Sequence, residues 1–144
     1  GTDGGLGIQE GRDGAAQAEG RVAAFDAAIE EYARWEETRL FATNAYEEAS
    51  LRFLAMQEGQ VDNGAVDRAS TAANVRAVAS ADGTVVTDFD SGAAAISEGT
   101  AVDYRGLVGP IDFNEFGDIA APFSIRRADG DSWVEAGRVR PADL

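Results

Sequence analysis

Near its C-terminus the chain reads Asp103-Tyr104-Arg105-Gly106-Leu107-Val108-Gly109-Pro110-Ile111-Asp112-Phe113-Asn114-Glu115-Phe116-Gly117-Asp118, followed by Ala121-Pro122-Phe123-Ser124-Ile125. Short apolar runs bounded by glycine, proline, asparagine and aspartate are typical of strands joined by tight turns. The pattern predicts strands over 107–113, 122–127 and 132–139, with turns at 114–117 and 129–131. The last third of the chain is therefore expected to form hairpins.

Helices are predicted upstream of this stretch. From about Gln9 to Glu37, apolar residues recur three and four positions apart, which is typical of one helical face. A second helix is predicted from a similar stripe, with a capping box of Asn44 and Glu47 at its start and Gly59 as its end. The stripe of this second helix consists of Ala42, Tyr46, Ala49, Phe53 and Met56.

The middle of the chain predicts three further short elements. An Ala-rich helix is expected over 65–79, after a turn at 62–64. The β-branched run over 84–87 predicts a strand. A brief helix is expected next, capped by Asp90 or Ser91, running through Ile96 and ending near Gly99.

Composition limits the partners that the protein can have. The chain has 144 residues, 44% of them hydrophobic, which is enough for the core of one domain. Its net charge of −14 would repel nucleic acid and anionic membranes. All 12 positive charges are arginines, and this acidic, lysine-free composition indicates a halophilic source. A GC-rich genome is the alternative, although it explains the arginines and not the acidity.

Cysteine and histidine are both absent from the sequence. Disulfides, thiolate nucleophiles and imidazole-dependent catalysis or zinc binding are therefore excluded. The carboxylate pairs Glu30-Glu31, Glu36-Glu37 and Glu47-Glu48 are interpreted as solvated helix faces. Asp129-Gly130-Asp131-Ser132 is interpreted as a hairpin turn, because a calcium loop needs ligands at alternate positions over a dozen residues.

The stretch quoted first resembles the C-terminal signature of type I periplasmic binding proteins, the branched-chain amino-acid-type receptors of ABC importers. Further landmarks in the same order match the family from about Gly1 to Val139. These landmarks are Gly1-Thr2, the helix from Phe25 to Trp35, the helix from Ala42 to Ala49, the segment from Val66 to Ala79, and the hairpin from Gly109 to Phe113.

The resemblance implies an α/β fold: a partial lobe of a type I periplasmic-binding-protein fold, with helices packed on a small sheet and a C-terminal β-hairpin. The whole chain, 1–144, is then one partial domain. It comprises a crossover loop at 1–8, a mainly helical part at 9–99, and hairpin and hinge-crossing strands at 100–144. The family's usual Tyr-Asp-Ala reads Tyr46-Glu47-Glu48 here, and a complete receptor of the family is more than twice as long.

The resemblance also implies a function. Such a receptor closes two lobes around a branched-chain amino acid or similar small solute and delivers it to an ABC permease. It is not an enzyme, needs no cofactor, works outside the cytoplasm, and meets the membrane only through a permease or an upstream lipid anchor. The alternatives are a ligand-sensing regulatory module of the same fold, a small enzyme that uses carboxylates alone, and a fragment that folds poorly by itself.

Four residues are predicted to lie near the ligand. Thr2 and Asp3 are placed at the crossover between lobes, and Asn44 and Tyr46 at a helix start. The alternative for Tyr46 is a core residue on the apolar stripe of the second helix.

Overall fold

The computed structural model describes residues 6–33, 42–119 and 123–139, and in the first segment it describes side chains only for residues 19–32. The predicted mixture of helix and strand is confirmed. The elements are α1 (Leu6–Ala33), α2 (Ala42–Asn63), α3 (Arg68–Asn74), β1 (Thr84–Val86), α4 (Phe89–Ser97), β2 (Val102–Tyr104), β3 (Phe123–Asp129) and β4 (Ser132–Val139). The chain forms two compact units, Gly1–Ile111 and Asp112–Leu144.

The first unit is built around a strand–helix–strand motif. Strands β1 and β2 run parallel, with Thr84 opposite Val102 and Val86 opposite Tyr104, and α4 makes the crossover between them. Asp88, with extended backbone, caps α4 by accepting a 2.8 Å hydrogen bond from the Ser91 amide. The predicted cap at Asp90 or Ser91 is therefore wrong, because the helix already begins at Phe89.

The core of this unit lies between the two strands and helices α2 and α4. Helix α2 packs against both α3 and α4. The largest side chains that are almost completely buried are Leu54, Val78, Ile96, Val102, Asp103, Tyr104 and Ile111. Asp103 is the one carboxylate in this set. Because all three residues of β2 are buried, the charge of Asp103 needs a partner within the protein.

The buried face of α2 differs from the predicted stripe by one position. Phe53 is 54% exposed, whereas the neighbouring Leu54 is completely buried. The Phe53 ring instead meets the Phe89 ring of α4 edge-on, with centroids 6.1 Å apart. The residues that α2 does bury are Glu47, Ser50, Leu51, Leu54, Ala55 and Gly59.

The predicted ends of α1, α2 and α3 also differ from the structure. Helix α1 begins at Leu6, inside the segment predicted as a crossover loop, and residues 34–37 lie outside the described part. Helix α2 continues past Gly59 to Asn63. Glycine at position 59 serves the contact with α3 instead, since a Cβ there would overlap the Ser70 hydroxyl. Helix α3 is shorter than the predicted 65–79, since the chain leaves it to bond with β2 through the Val78 carbonyl, 2.9 Å from the Tyr104 amide.

Residues 107–113 form no strand, contrary to prediction. They contribute only isolated bridges, between Arg105 and Pro110 and between Phe113 and Ile119. Pro110 has no amide hydrogen to donate to a ladder. The predicted turn after them is confirmed, with the Asn114 side chain accepting from the amides of Phe116 and Asp118, each at 2.9 Å.

The second unit contains the antiparallel hairpin of β3 and β4. Its turn falls at Asp129-Gly130-Asp131-Ser132 as predicted, with Asp129 opposite Ser132. The pairing shifts by one residue between Ile125 and Arg126. Phe123, Ile125 and Trp133 are all exposed on this hairpin.

Candidate functional site

The carboxyl ends of β1 and β2 meet at one edge of the small sheet, because the strands are parallel. Thr87 and Asp88 follow β1, and the segment from Arg105 to Leu107 follows β2. In open α/β sheets this edge is where ligands bind. The topology therefore points to these two loops as the place to look for a site.

A cavity of about 300 Å³ lies at this edge. This volume is at the lower end of the range for small-molecule sites. Helix α1 forms one wall, Tyr46 of α2 another, and the loops after the two strands complete it. The lining residues are Arg21, Ala24, Phe25, Ala28, Tyr46, Thr87, Asp88 and Leu107.

Two opposite charges and two aromatic rings give the cavity its chemical character. Arg21 contributes a cation and Asp88 an anion. The rings of Phe25 and Tyr46 are tilted by 57° with their centroids 5.2 Å apart, a favourable aromatic geometry. The lining therefore combines a cation, an anion, two aromatic rings and aliphatic side chains.

Arg21 also supports the loop after β2. Its Nη2 donates to the Gly106 carbonyl at 3.1 Å, which joins α1 to that loop. Its Nε is shielded from solvent and has no hydrogen-bond partner among the described residues. The guanidinium is thus only partly satisfied by the protein.

Glu47 holds the same loop from α2. This side chain is only 4% exposed, and its Oε1 accepts a 2.9 Å hydrogen bond from the Val108 amide. A Cβ at Gly106 would overlap the carboxylate, so a larger residue at position 106 would force the Glu47 side chain to move. The predictions of a solvated face and of a capping box are both wrong for Glu47, whereas its neighbour Glu48 is exposed and paired with Arg52.

A buried polar group lies next to Glu47. The Tyr104 side chain is completely buried beside Ser50 and Glu47, and its hydroxyl makes no well-formed hydrogen bond within the described part of the chain. Burial raises the pKa of Tyr104, the Ser50 hydroxyl opposes that shift, and Glu47 adds to it. The phenol therefore stays neutral across the physiological range.

The charge of Asp103 is compensated locally. Its Oδ2 accepts a 2.7 Å hydrogen bond from Arg105 Nε, while the carboxylate is 1% exposed. Removing Arg105 would leave a buried, unpaired charge, which is costly. Polar side-chain contacts at Arg105, Gly106 and Val108 thus hold the loop after β2.

The four residues predicted near the ligand have different outcomes. Tyr46 lines the cavity and is 38% exposed. Asn44 is exposed on α2 and is not part of the cavity lining. Thr2 and Asp3 lie outside the described residues. That any of the four contacts a ligand remains a prediction.

Sequence reasoning missed Arg21, Asp88 and Glu47. Arg21 and Asp88 are single charged residues in a highly charged chain, and they come together only in the fold, where α1 and the loop after β1 line one cavity. The one signal available was Asp88, which stands directly after the strand predicted over 84–87. Nothing in the local pattern distinguishes the buried Glu47 from the exposed Glu48.

Comparison with known proteins gives no significant match to a family model, a curated protein or a solved structure. Within the described part of the chain, no helix has the length and apolar character needed to cross a membrane. The same residues contain no group of three or more acidic side chains arranged to hold a metal ion.

Proposed function

We propose that this chain is the solute-binding part of an ABC-importer receptor of the type I periplasmic-binding-protein class. It captures an amino acid or similar small polar solute outside the cytoplasm and delivers it to a permease. One observation carries the proposal: a cavity with an arginine and an aspartate on its walls lies at the carboxyl ends of two parallel strands. The sequence resemblance supports it independently.

The charges of the cavity suit the two ends of an amino acid. The Arg21 guanidinium donates to the carboxylate, and the Asp88 carboxylate accepts from the ammonium group. The side chain of the solute packs against Phe25, Tyr46 and Leu107. A volume of about 300 Å³ limits the ligand to a small molecule.

Closure supplies the rest of the mechanism. The resemblance implies a second lobe, which would cover the open side of the cavity and remove the solute from water. Excluding water strengthens the contacts of Arg21 and Asp88 with the ligand, because charges interact more strongly at low dielectric. Binding by two-lobe closure requires no chemical step.

The test is calorimetric titration of the purified chain with amino acids, in low and in multimolar KCl. Arg21→Gln is expected to weaken binding roughly tenfold to a hundredfold, since a hydrogen bond to a charged group contributes about 1.5–3 kcal/mol. Arg68→Gln is the matched control, because Arg68 is exposed and outside the cavity. Equal effects of the two variants, or no binding of any amino acid, would contradict the proposal.

Asp88→Asn tests the other end of the ligand without removing the helix cap. Asparagine caps helices about as well as aspartate, so α4 should keep its start. Asp67→Asn is the matched control, since Asp67 caps α3 through the Ser70 amide at 2.8 Å and does not line the cavity. Only the substitution at Asp88 should weaken binding of amino acids, and it should spare carboxylates that lack an ammonium group.

A further inference from the structure

A second cavity, of about 500 Å³, is lined by α2, α3 and the segment that joins them. It shares no lining residue with the cavity at the ends of β1 and β2. Its walls are largely apolar, and the apolar side chains are those of Met56, Val66, Ala72 and Val75. Methionine adapts its shape to different apolar partners. A cavity of this size with such walls lies within the range that holds a small molecule.

Three of the four polar residues in the lining of this α2–α3 cavity already have partners. Arg52 forms an ion pair with Glu48, one turn earlier on α2. The Asp67 carboxylate accepts from the Ser70 amide, and the Thr71 hydroxyl donates to the Asp67 carbonyl, each at 2.8 Å. These polar groups therefore stabilise the helices themselves.

Arg68 is the fourth polar residue, and its guanidinium has no hydrogen bond or ion pair with another described residue. A guanidinium presents a planar set of donors that matches a carboxylate. The lining contains two arginines and one aspartate, which gives one net positive charge in a chain whose net charge is −14. A monoanion is therefore the charged group that this cavity complements.

The apolar walls and Arg68 together indicate the class of ligand. An aliphatic chain can leave water against Met56 and Val75 while a carboxylate at its end pairs with Arg68. Each methylene that is buried strengthens binding by up to about fourfold. A membrane is a poor source of such a ligand, because the acidic chain is repelled by anionic lipid surfaces.

We infer that the α2–α3 cavity binds a free medium-chain aliphatic carboxylate, with its chain against Met56 and Val75 and its carboxylate at Arg68. This inference goes beyond the proposed function and does not depend on it, because the two cavities have no lining residue in common. The two can fail separately: amino-acid binding depends on Arg21, and binding of the aliphatic carboxylate depends on Arg68.

The test uses Met56, which is the only methionine of the sequence. Isotopic labelling of the methionine methyl group therefore gives one NMR signal from the wall of this cavity. The probe is octanoate, added to the intact chain at the lowest KCl concentration that keeps it folded, because salt screens the exposed charge of Arg68. The Met56 signal should shift and saturate.

Related compounds separate the two parts of the ligand. Butyrate should bind at least about tenfold more weakly than octanoate, because it has four fewer methylenes to bury. Octanamide and octylammonium should each bind at least about threefold more weakly, since neither brings a negative charge to Arg68 and exposed ion pairs contribute modestly.

Substitutions locate the site. Arg68→Gln should weaken octanoate binding at least about threefold. Arg76→Gln is the matched control, because Arg76 is exposed and outside the lining, and it should leave octanoate binding unchanged. Arg21→Gln should also leave octanoate binding unchanged. The series of compounds on the unmodified chain decides the question if a variant does not fold.

Four results would overturn the inference. They are no shift of the Met56 signal, equal binding of octanoate and octylammonium, a loss of octanoate binding that follows Arg21 in place of Arg68, and a shift that follows protein concentration in place of octanoate. The last result would mean that a second copy of the chain covers the cavity.

Discussion

The contact between Glu47 and Gly106 allows a quantitative test of how the cavity wall is held. In Gly106→Ala the new Cβ overlaps the buried Glu47 carboxylate. The backbone at Gly106 has no positive φ angle, so alanine introduces no backbone strain and the cost arises from the overlap. Overpacking costs about 1–3 kcal/mol, and displacing Glu47 also loses its bond to the Val108 amide.

The expected cost can be divided between the two residues. A hydrogen bond to a charged group contributes about 1.5–3 kcal/mol, so Glu47→Ala should lower the free energy of unfolding by about that amount. Gly106→Ala should lower it by about 1.5–3 kcal/mol, because the overlap is relieved by moving the Glu47 carboxylate, which loses its bond to the Val108 amide. Once Glu47 is alanine, the Gly106 substitution should cost less than about 0.5 kcal/mol, since the overlapping carboxylate is gone.

The assay is equilibrium urea unfolding, followed by circular dichroism in multimolar KCl, of the parent, both single variants and the double variant. A coupling free energy of at least about 1 kcal/mol is expected. If Gly106→Ala alone does not fold, recovery of folding in the double variant gives the same answer. Additive costs, or a neutral Gly106→Ala, would refute the reasoning.

Two further substitutions test the core. Leu54→Ala should lower the free energy of unfolding by about 2.7–5 kcal/mol, because Leu54 is completely buried. Phe53→Ala should lower it by about 1 kcal/mol, because Phe53 is largely exposed. If urea unfolding ranks the two costs in the opposite order, the buried face of α2 is the stripe predicted from the sequence. The raised pKa of Tyr104 means that the folded state holds the phenol proton more tightly than the unfolded state. The contribution of Tyr104 to the free energy of unfolding is therefore fully present below about pH 10 and is lost as the pH rises above that value. Tyr104→Phe should flatten that dependence in unfolding curves between about pH 9 and pH 11, and an unchanged slope would contradict the assignment.

Local sequence patterns predicted the elements whose signals are themselves local. The turn at Asp129 to Ser132 and the strand after it were predicted correctly, because Asp-Gly turns and alternating residues act over a few positions. The helix after β1 was also predicted, apart from its cap. These features depend on neighbours in the chain and not on the rest of the fold.

The buried face of α2 could not be predicted from the sequence, and the cause is physical. A stripe of apolar residues contains Tyr46 and Phe53, and burying them would be the default expectation. The structure instead buries Glu47, because the loop after β2 supplies an amide for its carboxylate 61 residues away. The residue pattern of a single helix contains no information about a partner that lies 61 residues away along the chain. The site was missed for the same reason, since Arg21 reaches it across 85 residues.

The two hydrogen bonds that hold the loop after β2 also bear on the order of folding. The motif of β1, α4 and β2 is contiguous in sequence, so its contacts close short loops and can form early. The Arg21–Gly106 and Glu47–Val108 bonds close much longer loops, whose entropic cost has to be met by structure already in place. We expect the wall of the cavity to be the last part of this unit to order during refolding and the first to open in native-state exchange.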